Sequence, residues 1–259
     1  SKEKREAMSL EANQNLAPRT AKNWRYMINQ YFLGNLNQFN IKAKKDLGTE
    51  KIIWQYWGQG LDDKTLPEIT KASFNSVDRY KEEYLVIRLD DDNISEYLEL
   101  PDFVWKKKGK NNFKFAFFSD LLRLALLKAY GGIWIDATII LIENIPDNLL
   151  DQDFFMFQRC PDAKNKQYWI DLNPQYFNLE STHLVNVLNS FIVAKKENEI
   201  IHILLDLLLN YWESQQSVSF YFFFQVLFDE LMVNDLYKKR GKIVDDTFPH
   251  LLQRKMHEP

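Results

Sequence analysis

The feature that most constrains this chain is an almost wholly apolar segment, residues 114–130, closed by two glycines and followed by a short apolar run. The segment (KFAFFSDLLRLALLKAY) predicts a helix that is buried on most sides. Gly131 and Gly132 end it as C-cap glycines do. Residues 133–136 (IWID) then predict an interior strand, which residues 138–142 could continue. The pattern therefore predicts a helix and a strand joined by a tight turn.

Between residues 116 and 127 of this helix the only polar side chains are Ser119, Asp120 and Arg123. A charge buried without a partner is costly, so these side chains must face a partner, a cleft or each other. From Asp120 to the glycines the helix rises roughly 15 Å at about 1.5 Å per residue. The strand returns roughly 13–16 Å at about 3.3 Å per residue. If the turn reverses the chain, Asp136 lies at the level of Asp120 and Arg123.

Two carboxylates and a guanidinium that meet at the end of a strand suit a ligand with both hydroxyls and phosphates. Two interpretations stay open from the residues alone. Asp120, Arg123 and Asp136 form such a ligand site, or Asp120 and Arg123 are a buried ion pair, three residues apart on one helix face, while Asp136 caps a turn.

The surrounding segments predict an α/β fold with a parallel sheet. Residues 51–57 (KIIWQYW) predict a buried strand that ends in a glycine turn, residues 67–77 a helix, and residues 84–90 a second strand. Strand–helix–strand order implies parallel strands, whose ligands gather at their carboxyl ends. Helical periodicity predicts a helical N-terminal extension over residues 1–50. The apolar patterns near residues 199–211 and 220–233 predict two C-terminal helices.

Composition excludes several classes of protein. Acidic and basic residues nearly balance, with a formal net charge of -3, so no nucleic-acid partner is expected. Cys160 is the lone cysteine, which points to a reducing compartment and to no zinc site. The N-terminal sequence has no apolar region typical of a secretory signal, and no run approaches the length that spans a bilayer. We expect a cytoplasmic protein, either soluble or peripheral to the membrane.

The helix, the glycine turn and the strand together resemble a known family. Ser119-Asp120-x-x-Arg123, followed by Tyr130-Gly-Gly-Ile-Trp-Ile-Asp136-Ala-Thr138, is similar to the SDxxR…GGxYxDxD signature of glycosyltransferase family 32 and the bacterial capsular polysaccharide synthesis transferases. More distant relatives are the large clostridial glucosylating toxins. The KIIWQYWGQG segment resembles the first strand of that family. The clear resemblance covers residues 51–146, and a weaker one covers 186–199 and 221–229.

The resemblance implies a fold and a division of the chain. The expected fold is a GT-A-type nucleotide-sugar-binding α/β/α sandwich, with the helical extension over residues 1–50 and a catalytic domain over 51–259. The donor half would be about 51–146 and the acceptor half about 147–259.

Roles of single residues are also implied by the resemblance. Trp57 would stack on the uracil of a UDP donor. Asp120 would bind ribose or sugar hydroxyls, Arg123 would contact the sugar or diphosphate, and Asp136 is the first aspartate of the DxD motif. Asp120, Arg123 and Asp136 are the implied catalytic residues. The full implied donor-binding set is Trp57, Gly58, Ser119, Asp120, Arg123, Asp136 and Asn189.

One position departs from the family pattern. The second aspartate of the DxD motif, a direct metal ligand in relatives, is Thr138 here, and a hydroxyl is a poor substitute for a carboxylate on a hard cation. The resemblance implies Mn2+ or Mg2+, with Asp136, Thr138 and His250 as the expected ligands. Asp245 and Asp246 are further candidates, although a solvated acidic turn is the commoner arrangement for such a pair.

The function expected from the resemblance is a retaining transfer of galactose or glucose from a UDP-hexose. The expected acceptor is an undecaprenyl-diphosphate-linked saccharide at the inner membrane surface, in capsular or exopolysaccharide synthesis. Alternatives are a transferase that glycosylates a protein, and a sugar-nucleotide-binding protein with impaired catalysis. The cluster Lys106, Lys107, Lys108 and Lys110 is either a solvated face or a site of attraction to anionic headgroups or a diphosphate.

Overall fold

The computed structural model describes residues 2–48, 51–178 and 180–250, which form two compact units. The first unit comprises the described parts of Ser1–Leu36, Met156–Asn189 and Val218–Pro259, and the second comprises those of Asn37–Phe155 and Ser190–Ser217. The chain passes from one unit to the other within two of its strands. The predicted division into a helical extension, a donor half and an acceptor half is a division by role in function, and it stays a prediction.

Helices and strands alternate along much of the chain. The helices are α1 (Lys2–Glu11), α2 (Ala17–Phe32), α3 (Glu68–Tyr80), α4 (Ile94–Tyr97), α5 (Asp102–Lys107), α6 (Phe115–Tyr130), α7 (Asp147–Leu150), α8 (Lys166–Leu172), α9 (Glu199–Ser214) and α10 (Phe223–Glu230). The strands are β1 (Ile52–Tyr56), β2 (Leu85–Leu89), β3 (Gly132–Ile135), β4 (Phe154–Gln158) and β5 (Val187–Ala194). Short π-helical turns follow α1 and α10.

Among the described residues, the five strands form one mixed sheet in the order β2-β1-β3-β5-β4. β1 is parallel to β2 and to β3, with Ile53 opposite both Val86 and Ile133, whereas β3 and β5 are antiparallel. The predicted α/β class with a largely parallel sheet is confirmed. A sheet of this kind with flanking helices is consistent with GT-A-type architecture.

The glycine turn after α6 has the geometry that the sequence predicts. Gly131 caps the helix at φ 73°, and its amide donates to the Leu127 carbonyl at 2.8 Å. Gly132 has φ 105°, and a Cβ there would lie 2.4 Å from the Ile52 carbonyl oxygen. Both residues therefore need a backbone that only glycine adopts readily, and Gly132 also lets β3 approach β1 closely.

Two extents differ from the sequence-based expectation. Helix α2 ends at Phe32 rather than near residue 50, because the chain turns at Gly34, which has φ 75°. The prediction that the strand continues over residues 138–142 is wrong. The amide of Ile139 donates to the Asp136 carbonyl at 2.9 Å, so the chain turns directly after Asp136. Residues 251–259 lie outside the described residues.

Each unit has its own aromatic core. In the first unit Trp24 of α2 stacks on Phe223 of α10, with ring centroids 5.9 Å apart, and its indole N–H donates to the Phe223 carbonyl at 2.8 Å. In the second unit α6 packs against α9, where Trp212 contacts the rings of Phe113 and Phe117. Within the described ranges, no helix combines the length and the apolarity that crossing a bilayer requires.

Candidate functional site

Three parallel strands of the second unit end at the same edge of the sheet. Tyr56 ends β1, Leu89 ends β2 and Ile135 ends β3, so the residues that follow each strand gather there. The carboxyl edge of a parallel sheet is where open α/β folds bind their ligands. The strand order therefore brings Trp57 and Asp136 to one edge.

Arg123 of α6 lies between two carboxylates at this edge. Its Nη2 is 3.5 Å from the Asp120 Oδ1 and 3.3 Å from the Asp136 Oδ1. The Arg123 side chain is 4% exposed, that of Asp120 11% and that of Asp136 29%, so Asp136 carries the open side of the cluster. The helix–turn–strand return thus brings together the three residues that the sequence singles out, and their roles stay a prediction.

Trp134 is a fourth member of the cluster that sequence reasoning missed. Its indole N–H donates to the Asp136 Oδ1 at 2.5 Å, and the Arg123 guanidinium lies 5.2 Å from the centroid of its ring. The signal was present in the sequence, because residues two apart in a strand point to the same face. Trp134 therefore orients both charged partners of the cluster.

The electrostatics of the cluster favour a polar ligand. Burial raises the pKa of Asp136 above its ordinary value, while the Arg123 charge and the Trp134 hydrogen bond oppose that rise. One guanidinium serves two carboxylates at distances longer than a tight ion pair. Hydroxyl groups of a ligand could donate hydrogen bonds to Asp136, whose side chain is the most exposed of the three.

The other predicted donor residues of this unit lie at the end of β1 or on α6, the helix that carries Asp120 and Arg123. Trp57 is half-buried and packs against an apolar group that includes Ala137, the neighbour of Asp136. A Cβ on Gly58 would lie 2.3 Å from the Tyr56 hydroxyl, so a side chain does not fit there without a shift. The Ser119 carbonyl, rather than its hydroxyl, contacts the site by accepting from the Arg123 Nε at 3.1 Å.

A serine of β5 also reaches the Asp136 backbone. The Asp136 amide donates to the Ser190 carbonyl at 2.9 Å. The Ser190 hydroxyl is buried and has no hydrogen-bond partner among the residues that the structure describes. A buried hydroxyl without a partner is uncommon in folded proteins, and ligand sites are one place where it occurs.

The four lysines of residues 106–110 differ in how far they are exposed to solvent. Lys107 is buried, donates to the Gln215 carbonyl at 2.9 Å, and has its pKa lowered chiefly by burial. Lys108 pairs with Asp91, which also accepts from the Tyr56 hydroxyl at 2.6 Å. Neither lysine belongs to a solvated face, and only Lys106 and Lys110 are exposed. The sequence missed this Tyr56–Asp91–Lys108 network because its members come from three separate segments.

The residues at the DxD position do not by themselves fit a divalent cation. Thr138 is exposed on the turn, and the Asp136 Oδ1 already pairs with Arg123 and accepts a hydrogen bond from Trp134. Among the described residues, no three His, Cys, Asp or Glu side chains form a group that could hold a metal ion. A hard cation prefers several oxygen ligands. The Mn2+ or Mg2+ requirement therefore stays a prediction without a protein-built site.

The C-terminal candidates for metal ligands lie in the first unit and have other partners. The His250 Nδ1 lies 2.8 Å from the Asp246 carbonyl, the ring contacts Tyr176 and Phe177, and burial lowers its pKa. Asp246 is fully buried in a bidentate pair with Arg159, at 2.6 and 2.8 Å. Asp245 is buried as well. The expectation of a solvated acidic turn is wrong, because Arg159 draws this segment inward.

Asn189 also belongs to the first unit. Its side chain is half-buried, and its Oδ1 accepts from the Gln225 Nε2 at 3.3 Å. The structure gives it this partner on α10, and its predicted contact with a donor stays a prediction.

Comparison with known proteins places the chain among polysaccharide-synthesis proteins. The family described as "Capsular polysaccharide synthesis protein" matches residues 4–259. The O-glycosyltransferase braB of Annulohypoxylon truncatum is 25% identical over 188 residues, 69% of this chain, and the chain spans only 42% of that relative's length. A solved structure named PaToxG Glycosyltransferase is 16% identical. It superposes with a TM-score of 0.42 over 93% of this chain and 85% of that chain. The family match covers nearly the whole chain, and the assignment rests on it.

Proposed function

Because the chain belongs to the family of capsular polysaccharide synthesis proteins, we propose that it is a glycosyltransferase that uses a nucleotide-sugar donor. The donor is a UDP-hexose, galactose or glucose, and the acceptor is an undecaprenyl-diphosphate-linked saccharide. Transfer occurs at the cytoplasmic face of the inner membrane, with which the protein associates peripherally. The observation that carries this proposal is Arg123 held between Asp120 and Asp136 at the carboxyl edge of the sheet.

The cluster supplies what the transfer needs at the donor. The bond between the anomeric carbon and the diphosphate oxygen breaks, so negative charge grows on that oxygen. The Arg123 guanidinium stabilises this charge in a site of low exposure, where electrostatic interactions are stronger than in water. Asp120 and Asp136 accept hydrogen bonds from sugar or ribose hydroxyls and orient the donor.

The remaining steps follow from retention of configuration. The acceptor hydroxyl approaches on the face that the diphosphate leaves, its oxygen bonds to the anomeric carbon, and its proton passes to the departing diphosphate oxygen. No carboxylate nucleophile is required by this sequence of events. Trp57 stacks on the uracil at the end of β1.

A thermal-shift screen tests the donor. We expect UDP-galactose or UDP-glucose to raise the melting temperature, because a ligand that binds only the folded state stabilises it. Asp136→Asn keeps the size of the side chain and removes its charge, so it should lose both the shift and transfer. Arg79→Gln, on the exposed end of α3, is the matched control and should keep both. A full shift and full transfer in Asp136→Asn would remove Asp136 from the donor site.

A second candidate is a sugar-nucleotide-binding protein without turnover. Exposed Thr138 at the second DxD position favours it, because the motif lacks one of its carboxylates. The two candidates differ in donor hydrolysis and transfer, each measured with Mn2+ and with a chelator. Binding of a UDP-hexose without release of UDP in either condition would select the binding protein.

A further inference from the structure

The first unit contains a pocket that Asp245 alone lines among the predicted site residues that the structure describes. We call it the Phe248 pocket, and its defining residues are Cys160, Lys164, Asn165, Trp169, Asp245 and Phe248. Its volume is about 430 Å³, within the range of sites that hold small ligands. It is a cavity of the right size for one or two sugar rings rather than for an extended chain.

One wall of the pocket is held firmly before any ligand binds. The Asp245 Oδ1 accepts from the Cys160 amide at 3.3 Å, and its Oδ2 accepts from the Thr247 hydroxyl at 2.6 Å. The preceding residue, Val244, accepts from the Gln158 amide at 2.9 Å. The following residue, Asp246, is locked to Arg159. A wall fixed in this way loses little conformational entropy when a ligand binds.

Asp245 has hydrogen-bonding capacity to spare. An ionised carboxylate has about four acceptor positions. Within the described part of the chain it receives these two hydrogen bonds, so about two positions remain for a ligand. The residue is 8% exposed and lines the cavity, so a ligand that covers it must donate hydrogen bonds in return.

The rest of the lining is largely apolar and aromatic. Phe248 is 60% exposed, and Ile243 beside it is also exposed. Trp169 is buried and forms an apolar part of the wall. A pyranose ring has an apolar face of C–H groups and an edge of hydroxyls, which matches a pocket lined by both an exposed aromatic ring and a carboxylate.

Two other ligand classes fit less well. A diphosphate needs several cationic partners, but Lys164 is accompanied here by the carboxylates of Asp162 and Asp245. A hydrocarbon chain would cover the Asp245 carboxylate without offering a hydrogen bond, at a cost of several kcal/mol. A neutral ligand with many hydroxyls avoids both penalties.

We propose that the Phe248 pocket binds a neutral saccharide, with the sugar face on Phe248 and its hydroxyls on Asp245. Resting on the proposed function, this saccharide is of the same chemical class as the sugar portion of the acceptor. The binding itself does not depend on catalysis, so it can be tested separately.

Cys160 provides a reporter inside the pocket. It is the chain's lone cysteine and is partly exposed, so iodoacetamide modifies one position only. We expect methyl glycosides of glucose, galactose or mannose to slow this alkylation. At about ten times the dissociation constant the rate should fall roughly tenfold. Glycerol at the same concentration is the control for hydroxyl groups without a ring.

Two variants locate the protection. Phe248→Ala should weaken the protection by roughly three- to tenfold, because it removes the exposed ring. Tyr237→Ala removes a similarly exposed ring of the same unit outside the pocket and should leave protection unchanged. Saturation-transfer NMR with the same glycosides reports binding independently of the thiol. Equal protection in both variants, or no NMR signal from any glycoside, overturns the proposal, as does protection by decyl phosphate alone.

Transfer assays on the same protein separate this inference from the proposed function. Protection of Cys160 in a protein that transfers no sugar would leave the saccharide pocket standing and refute the transferase. Transfer of sugar by a protein whose Cys160 no glycoside protects would refute the pocket and leave the transferase standing.

Discussion

The two units each hold an arginine among aspartates, and the two arrangements differ in how completely the charges are paired. In the second unit the Arg123 Nη2 pairs with both Asp120 Oδ1 and Asp136 Oδ1, at 3.5 and 3.3 Å. The Asp136 side chain is partly exposed to solvent. In the first unit Arg159 holds the fully buried Asp246 with two bonds of 2.6 and 2.8 Å.

Among the residues that the structure describes, the Arg159 guanidinium makes four hydrogen bonds with its five N–H groups, two of them to Asp246. The other two are donated to the carbonyls of Asn178 and Tyr176, at 3.1 and 3.2 Å. The Arg123 cluster, by contrast, has an open side, because the Asp136 side chain is 29% exposed. The comparison teaches that the residue types alone do not separate a structural ion pair from a candidate site. The separation lies in bond geometry and in exposure, and it can be tested by removing each arginine.

Arg159→Ala should have the largest effect, and on stability. Removing one partner of a buried ion pair leaves the other charge unpaired and costs about 3–5 kcal/mol. We expect the midpoint of urea unfolding to fall accordingly. The double variant Arg159→Met with Asp246→Leu removes both charges and should recover much of the loss. An Arg159→Ala protein as stable as the wild type would show that this pair is as loosely held as the Arg123 cluster.

Arg123→Ala should act mainly on transfer. Loss of a group that stabilises charge in the transition state lowers a rate by about 100- to 1000-fold. The unfolding midpoint should fall less than in Arg159→Ala, because Asp136 is partly exposed and its raised pKa lets it accept a proton. Steady-state kinetics and urea unfolding on both variants measure the contrast. Arg123→Lys, which keeps the charge, should recover part of the rate.

Trp134→Phe should lower transfer by about 10- to 100-fold, since a hydrogen bond to a charged group is worth about 1.5–3 kcal/mol. The indole N–H lowers the pKa of Asp136, so its removal raises that pKa further. In the proposed mechanism Asp136 is active in its ionised form. Because the variant raises the pKa of Asp136, the acid limb of the pH–rate profile should move to higher pH. A lower rate with an unmoved limb would assign Trp134 to packing alone.

The smallest effect is the pH dependence of stability in the first unit, where His183 lies near the buried Arg159–Asp246 pair. Burial lowers the pKa of His183 from 6.5 to about 4, beside the Tyr176 carbonyl and near Arg159. The unfolded chain therefore binds a proton at a higher pH than the folded one, and stability falls as the pH drops from 6.5 towards 4. Between pH 6.5 and 5.5 we expect a loss of about 1 kcal/mol in urea unfolding. His183→Gln should show a smaller loss over the same interval.

The second unit was the more predictable from sequence. The buried helix over 114–130, its glycine cap and the strand after it match α6, Gly131 and β3 within a residue or two. Helical rise and strand rise are constant, so the return of Asp136 to Arg123 follows from counting residues. Trp134 was within reach of the same reasoning, because side chains in a strand alternate between its two faces.

The first unit was less predictable because its contacts join distant segments. Asp245 and Asp246 resemble a surface turn until Arg159, 87 residues earlier in the chain, is known to lie beside Asp246. The Phe248 pocket likewise takes its walls from residues 160–169 and 243–248. Nothing in the local pattern of either segment indicates the other.

By itself, the sequence determined the α/β class, the helix–turn–strand return and the group of Asp120, Arg123 and Asp136. These depend on apolar periodicity, on glycine at two backbone positions and on fixed rises per residue, all of which are local. Only the tertiary structure decided which arginine is fully paired and which is open, and where a second pocket forms. Pairing and exposure depend on segments far apart in the chain, and their meeting is set by packing of the whole unit rather than by any local pattern.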